Sequence, residues 1–299
     1  MAAGEGWMDR RAFLTAAGRS AVLLAGGWRV GVRDALRIAL VTPDADGALA
    51  RGVTMGVEEA ARTGALMGRA AELRTAHSVA SAQLFLAEGV GALVGGWDVD
   101  SCRALGALAE SAGVPFLDTG CAADVLRGAE CRRAVFHVEA SDAMRAAALA
   151  ARPADAGEAA RAVLWHPTLE RFGAAQLNDR FRARWGGAGM DGAAWAGWMA
   201  AKALWEASLR ARSVEGAALR AYLERETTQF DGHKGWPLSF RPSDRQLRQP
   251  LYLVTEDGSR VVAEVPARPA EGGSSRALLD ALAGDASASA CGESRAGMD

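Results

Sequence analysis

Four aspartates come in two close pairs, Asp44 with Asp46 and Asp98 with Asp100, and carboxylates are the hard oxygen donors a divalent cation takes. Neither pair has calcium-loop spacing, and acids this close together are common where a helix start needs caps for its free N–H groups. No metal is therefore expected. His77, His137, His166 and His233 are isolated, with no partner four residues away, so they do not read as metal ligands or as a base beside a nucleophile. His166-Pro167 reads as the end of a strand, and His233 lies in a Gly-rich turn. There is no GxxxxGK[ST] phosphate loop and no G-x-S-x-G elbow after a strand. The glycines of 89–96 surround an apolar run and lack the dinucleotide fingerprint. The chain reads as a non-enzyme with no cofactor.

The segment 230–254 (FDGHKGWPLSFRPSDRQLRQPLYLV) holds paired glycines, a Trp-Pro step and an Arg/Gln-rich link into an apolar strand. These residues suit binding and bracing rather than catalysis. Trp195, Trp198 and Trp205 fall on one helix face among alanines, which admit close packing. They read as a core seam, and a stacking platform is the other reading. Of the four cysteines, Cys121 and Cys131 lie on either side of a polar turn. In an oxidising compartment a local disulfide between them would contribute about 2–3 kcal/mol; two buried thiols are the alternative. Cys102 and Cys291 have no evident partner, and four cysteines permit three connectivities.

The elements that would position these residues alternate in type. Short apolar runs at 36–42 (LRIALVT), 71–75, 90–94 (VGALV), 114–117 (VPFL) and 134–138 (AVFHV) read as strands. Helical periodicity fills 48–63, 79–88 and the stretch from Asp100 or Ser101 to Ala112. Five such strands with mostly helical connections predict a parallel sheet covered on both faces. In such sheets ligands lie beyond the carboxyl ends of the strands, which singles out 43–46, 95–98 and 118–121. The second half differs. Helices are expected at 141–151, 169–185, 193–212 and 214–226, with a brief strand at 161–165 after a polar link, 152–160. A hairpin, 250–255 with 260–265, turns at Asp257-Gly258. Beyond Pro266 the composition turns to Ala, Gly and Ser, and 266–299 is expected to be mostly disordered apart from a weak helix at 275–283.

Composition bounds the partners. The chain has 299 residues, half of them hydrophobic, and a net charge of −2. Lys202 and Lys234 are the only lysines, and the arginines are scattered among acids, which argues against nucleic acid. At the start, Arg10-Arg11-Ala12-Phe13-Leu14 and a short apolar run, 21–25, resemble a twin-arginine export leader. That run is too short to span a bilayer. Residues 1–35 are expected to be leader and linker, and the mature protein periplasmic.

The residues 36–138 followed by 195–254 resemble the type I periplasmic solute-binding proteins, the branch of branched-chain amino-acid and amide binders of ABC transporters. A narrower resemblance is to binding-protein-like components encoded beside PQQ-dependent alcohol dehydrogenases. It is carried by 121–131 (CAADVLRGAEC), Phe136-His137-Val138, Trp165-His166-Pro167, 173–178 (GAAQLN), Arg180-Phe181, Phe240-Arg241-Pro242 and 246–251 (QLRQPL). The resemblance implies a two-lobed clamshell crossed three times by the chain. Between Val138 and Trp165, however, where the second lobe would lie, only 139–164 are available, and a single βαβ unit needs about 30 residues. The expected architecture is thus α/β and periplasmic-binding-protein type I-like, with one complete αβα lobe and its parallel sheet from 36–139 plus 166–249. The second lobe is largely missing, with 140–165 plus 250–265 as its remnant.

The amino-acid-binding relatives hold a ligand's polar head at the loops after the third and fourth strands. By position this implies Gly96, Trp97, Asp98, Thr119 and Gly120, although capping and tight turning explain the same residues. Asp98 replaces the small hydroxyl residue usual there and would repel a ligand carboxylate. The implied partners are a small-molecule solute and an ABC permease or a quinoprotein dehydrogenase. The alternative role is a single-lobe accessory protein that docks a dehydrogenase or permease without binding solute.

Overall fold

The computed structural model describes residues 35–156, 161–268 and 274–292. The twin-arginine run lies outside the described residues. The strands β1 (Ala35–Val41), β2 (Ala70–Ala76), β3 (Ala92–Gly95), β4 (Phe116–Asp118) and β5 (Val135–His137) form one parallel sheet in the order β2-β1-β3-β4-β5. Alternation along β1 explains the two-sided packing. Leu36, Ile38 and Leu40 enter one core with α1 (Ala48–Ala65), while Ala39 and Val41 enter a second with α2 (Val79–Ala87) and α3 (Val99–Ala112). It is the only parallel sheet among the described residues. Among the described residues the αβα lobe is complete and no second lobe of that size accompanies it.

The first core is closed by α6 (Gly192–Ala211), which lies against α1. Small residues allow the contact: a Cβ on Gly52 would meet the Ala194 carbonyl at 1.9 Å, and one on Gly197 the Leu49 carbonyl at 2.6 Å. Trp195, Trp198 and Trp205 are buried in this seam, and Trp195 stacks on Trp165 with ring centroids 6.0 Å apart. They are core. The helix expected over 169–185 is shorter. Phe172 (φ 59°) and Gly173 (φ 87°) adopt left-handed backbone, so α5 runs only over Ala174–Arg184. Shorter helices, α4 (Asp142–Ala150) and α7 (Gly216–Leu223), complete the set before the tail.

Two small sheets accompany the parallel one among the described residues. β10 (Leu251–Val254) pairs antiparallel with β11 (Val261–Val265) as the expected hairpin, and β6 (Arg161–Val163) adds to its other edge. A second sheet, unmarked in the sequence, joins β7 (Phe230–Asp231), β8 (Pro237–Phe240) and β9 (Leu247–Arg248). The Arg/Gln link braces the exit of β5. Gln246 Nε2 donates to the Glu139 carbonyl at 3.0 Å, and Gln249 Nε2 donates to that of Val138 at 2.7 Å. Lys234 is fully buried over the Trp195 ring and donates to Gln249 Oε1 at 2.8 Å and to the Pro250 carbonyl. Burial pushes its amine well below the ordinary lysine value.

The weak helix expected at 275–283 forms as α8 (Ser275–Ala283), which buries Leu279 and Leu282, and Asp280 accepts from Arg248 at 2.7 Å. One expectation is corrected: Cys121 and Cys131 do not pair. The disulfide joins Cys131 to Cys291, 160 residues apart. Arg127 explains this. Its guanidinium donates to Gln246 Oε1 (2.6 Å) and to the carbonyls of Cys121, Ala123 and Glu139, folding the turn so that Cys121 faces inward. Ala290 N–H meanwhile donates to the Gly128 carbonyl and brings Cys291 to Cys131. Cys102 and Cys121 remain buried thiols.

Candidate functional site at the carboxyl edge of the sheet

The turns after β3 and β4 meet at the carboxyl edge: a Cβ on Gly120 would lie 2.2 Å from the Gly96 carbonyl and 3.5 Å from the Trp97 Cα. The five residues singled out by position are thus brought together, but their backbone donors are occupied. Asp98 caps α3, accepting from Ser101 N–H at 2.7 Å, while Ser101 Oγ accepts from the Trp97 and Asp98 N–H groups at 3.1 and 3.0 Å. The Thr119 N–H and hydroxyl both donate to the Gly95 carbonyl. The Gly120 and Cys121 N–H groups converge on Asp118 Oδ1 at 3.1 and 2.9 Å. Trp97, 39% exposed, and Asp98 offer open side chains.

Beneath these turns lies a buried polar group. Asp118 Oδ2 is 2.8 Å from His137 Nδ1, His137 Nε2 is 3.2 Å from the Leu126 carbonyl, and the Cys102 thiol reaches Asp118 Oδ1 at 3.4 Å. Burial alone would raise the Asp118 carboxyl. The His137 hydrogen bond and charge, Arg127 and the Cys121 N–H together hold it below its ordinary value. Burial and Arg127 lower the His137 imidazole against the pull of Asp118. Both side chains are fully buried and Nε2 faces a backbone carbonyl rather than a thiol or hydroxyl, so the pair braces the crossover.

A cavity of about 610 Å³ opens beside this edge, within the size range of small-molecule sites. Glu139, two residues past β5, borders it together with α4, β6, β10 and the first turn of α6. That helix turn packs on the start of α1, just beyond the end of β1, so the cavity lies past the strands' carboxyl ends. Leu149, Val163, Leu164, Trp165 and Val254 make its wall largely apolar. Glu139 is held by Arg145 and by the Ala140 N–H; burial raises its carboxyl even so. None of Gly96, Trp97, Asp98, Thr119 and Gly120 lines the cavity. Its residues were overlooked because they come from the remnant segments and from α6, which only folding brings together. Trp165-His166-Pro167 was visible as a motif but read as a strand end.

A family model described as periplasmic binding protein matches residues 151–260. No curated protein sequence matches the chain. Among solved structures, a branched-chain amino acid ABC transporter periplasmic ligand-binding protein from Burkholderia xenovorans LB400 aligns at 14% identity. It covers 77% of this chain and 95% of its own, with a TM-score of 0.63. The branched-chain amino acid transporter substrate-binding protein LivJ from Streptococcus pneumoniae, in complex with isoleucine, aligns at 14% identity, 77% and 98% coverage and a TM-score of 0.61. An ABC transporter solute-binding protein from R. palustris, in complex with benzoate, gives 15%, 77% and 95%, and 0.60. Together with the parallel sheet and its flanking helices, these likenesses show that the chain has the type I periplasmic-binding-protein fold.

Proposed function

We propose that this chain is a non-catalytic, exported binding component that holds a small solute at the carboxyl edge of its sheet and serves an ABC permease or a quinoprotein alcohol-oxidation system. The cavity between the parallel-sheet lobe and the remnant strands carries this reading, because it is the large apolar concavity beside that edge. The fold supports it, and so does the family match over 151–260, which includes most of the cavity wall. Gly96, Trp97, Asp98, Thr119 and Gly120 lie in the turns after β3 and β4 at the same carboxyl edge, where the Trp97 ring is exposed.

A thermal-shift screen of the purified chain against amino acids, amides, alcohols, PQQ and lanthanum tests the reading. A solute at about a hundredfold excess over its Kd should add about 2.7 kcal/mol of stability. Donors already occupied in the two turns favour a second reading, an accessory protein that docks a dehydrogenase or permease at this edge. A silent screen together with co-purification of a defined dehydrogenase or permease would select it and remove the first.

A further inference from the structure

The chemistry of the cavity wall narrows the class of solute. A buried site built for a zwitterion or a carboxylate keeps unpaired donors aimed at the charge, because a buried charge without partners is costly. Here the polar side chains on the wall already have partners within the protein. The Arg145 guanidinium is held by Glu139 and the Ala140 carbonyl. Asp191 accepts from the Ala194 N–H at the start of α6. Both His166 nitrogens have oxygen partners, Thr168 Oγ1 at 2.8 Å and the Gly258 carbonyl at 2.9 Å. The Trp165 Nε1–H donates to Asn178 Oδ1 at 2.9 Å. Among the described residues, no buried side-chain nitrogen or oxygen of this wall lacks a hydrogen-bond partner. Arg161 is the one lining cation with neither ion pair nor side-chain hydrogen bond among the described residues, and it is solvent-exposed beside Gly258 at the rim. Water already solvates it, so it draws a charge outward rather than into the cavity.

We propose, resting on the solute-binding reading above, that this cavity takes uncharged, largely apolar small molecules and discriminates against zwitterions and carboxylates of similar size. Such a molecule gains from covering Leu149, Leu164 and Val254 and displaces no internal hydrogen bond. A leucine-like zwitterion would have to shed water from two charges and find no unpaired side-chain partner on the buried wall.

Isothermal titration of the full chain with toluene and indole, beside benzoate and leucine, tests this. The neutral pair should bind about a hundredfold more tightly than the charged pair, and Ala193→Phe, which fills the cavity from the first turn of α6, should abolish their binding. Exposed Leu84→Ala should leave it unchanged. Tight benzoate or leucine binding lost in Arg161→Gln would overturn the neutral class while leaving solute binding intact. Binding by none of the four would overturn the inference; a hit from the wider amino-acid, amide, alcohol and PQQ screen would still uphold the solute-binding reading. Should Ala193→Phe misfold, iodobenzene diffused into crystals of the unaltered protein locates the site by its iodine: density against Trp165 and Leu149 supports the proposal, and density confined elsewhere sinks it.

Discussion

Asp118 shows how one side chain can occupy a whole loop. Its carboxylate gathers the Gly120 and Cys121 N–H groups, His137 and the Cys102 thiol, with Arg127 3.8 Å away. Asp118→Ala would leave these donors buried without an acceptor and should lower unfolding stability by about 3–5 kcal/mol in urea titrations. Because its folded pKa lies below the ordinary value, the stabilisation is complete above about pH 4 and is lost as pH falls through the folded value. The urea midpoint of the unaltered protein should therefore drop below pH 4, and the drop should be smaller in Asp118→Ala. The turns around Asp118 were legible as turns, from Gly95-Gly96 and Thr119-Gly120. Their saturation was not, since Ser101 and Asp118 compete with any ligand for N–H groups that sequence leaves unassigned.

At the scale of elements, the α1–α6 contact sets the lobe's thickness. Helices approach this closely only where one lacks side chains, and Gly52 faces a backbone carbonyl that cannot rotate away. Gly52→Ala should lower stability by about 1–3 kcal/mol, read from thermal or urea unfolding. An alanine at exposed Gly68, with φ +67° and open space, should cost about 1 kcal/mol from backbone strain alone. The strands and helices of the parallel lobe were readable because short apolar runs alternate regularly with helical periods. The β7–β9 sheet was not, since β7 and β9 are two residues each and exist through pairing rather than propensity.

For the whole molecule, the Cys131–Cys291 bond ties the tail to the turn after β4 and closes a loop of 160 residues. Cys291→Ser should lower stability by about 3–5 kcal/mol under oxidising conditions, and the difference from the unaltered protein should vanish in dithiothreitol. The same crosslink holds α8 beside β9, where Arg248 meets Asp280. The short helix expected at 275–283 thus acts as a brace.

The amino-acid pattern alone determined the doubly covered parallel sheet, the hairpin at Asp257-Gly258 and the shortage of residues between Val138 and Trp165 for a second lobe. Each of these is local or a matter of length, so neighbouring residues carry the information. Tertiary structure alone decided the cysteine pairing, the anchoring of α8 and the cavity walled by Glu139, Leu149, Trp165 and Val254. Those depend on which distant segments meet, and that is settled by burial and by the hydrogen-bonding demands of Arg127, Gln246 and Gln249.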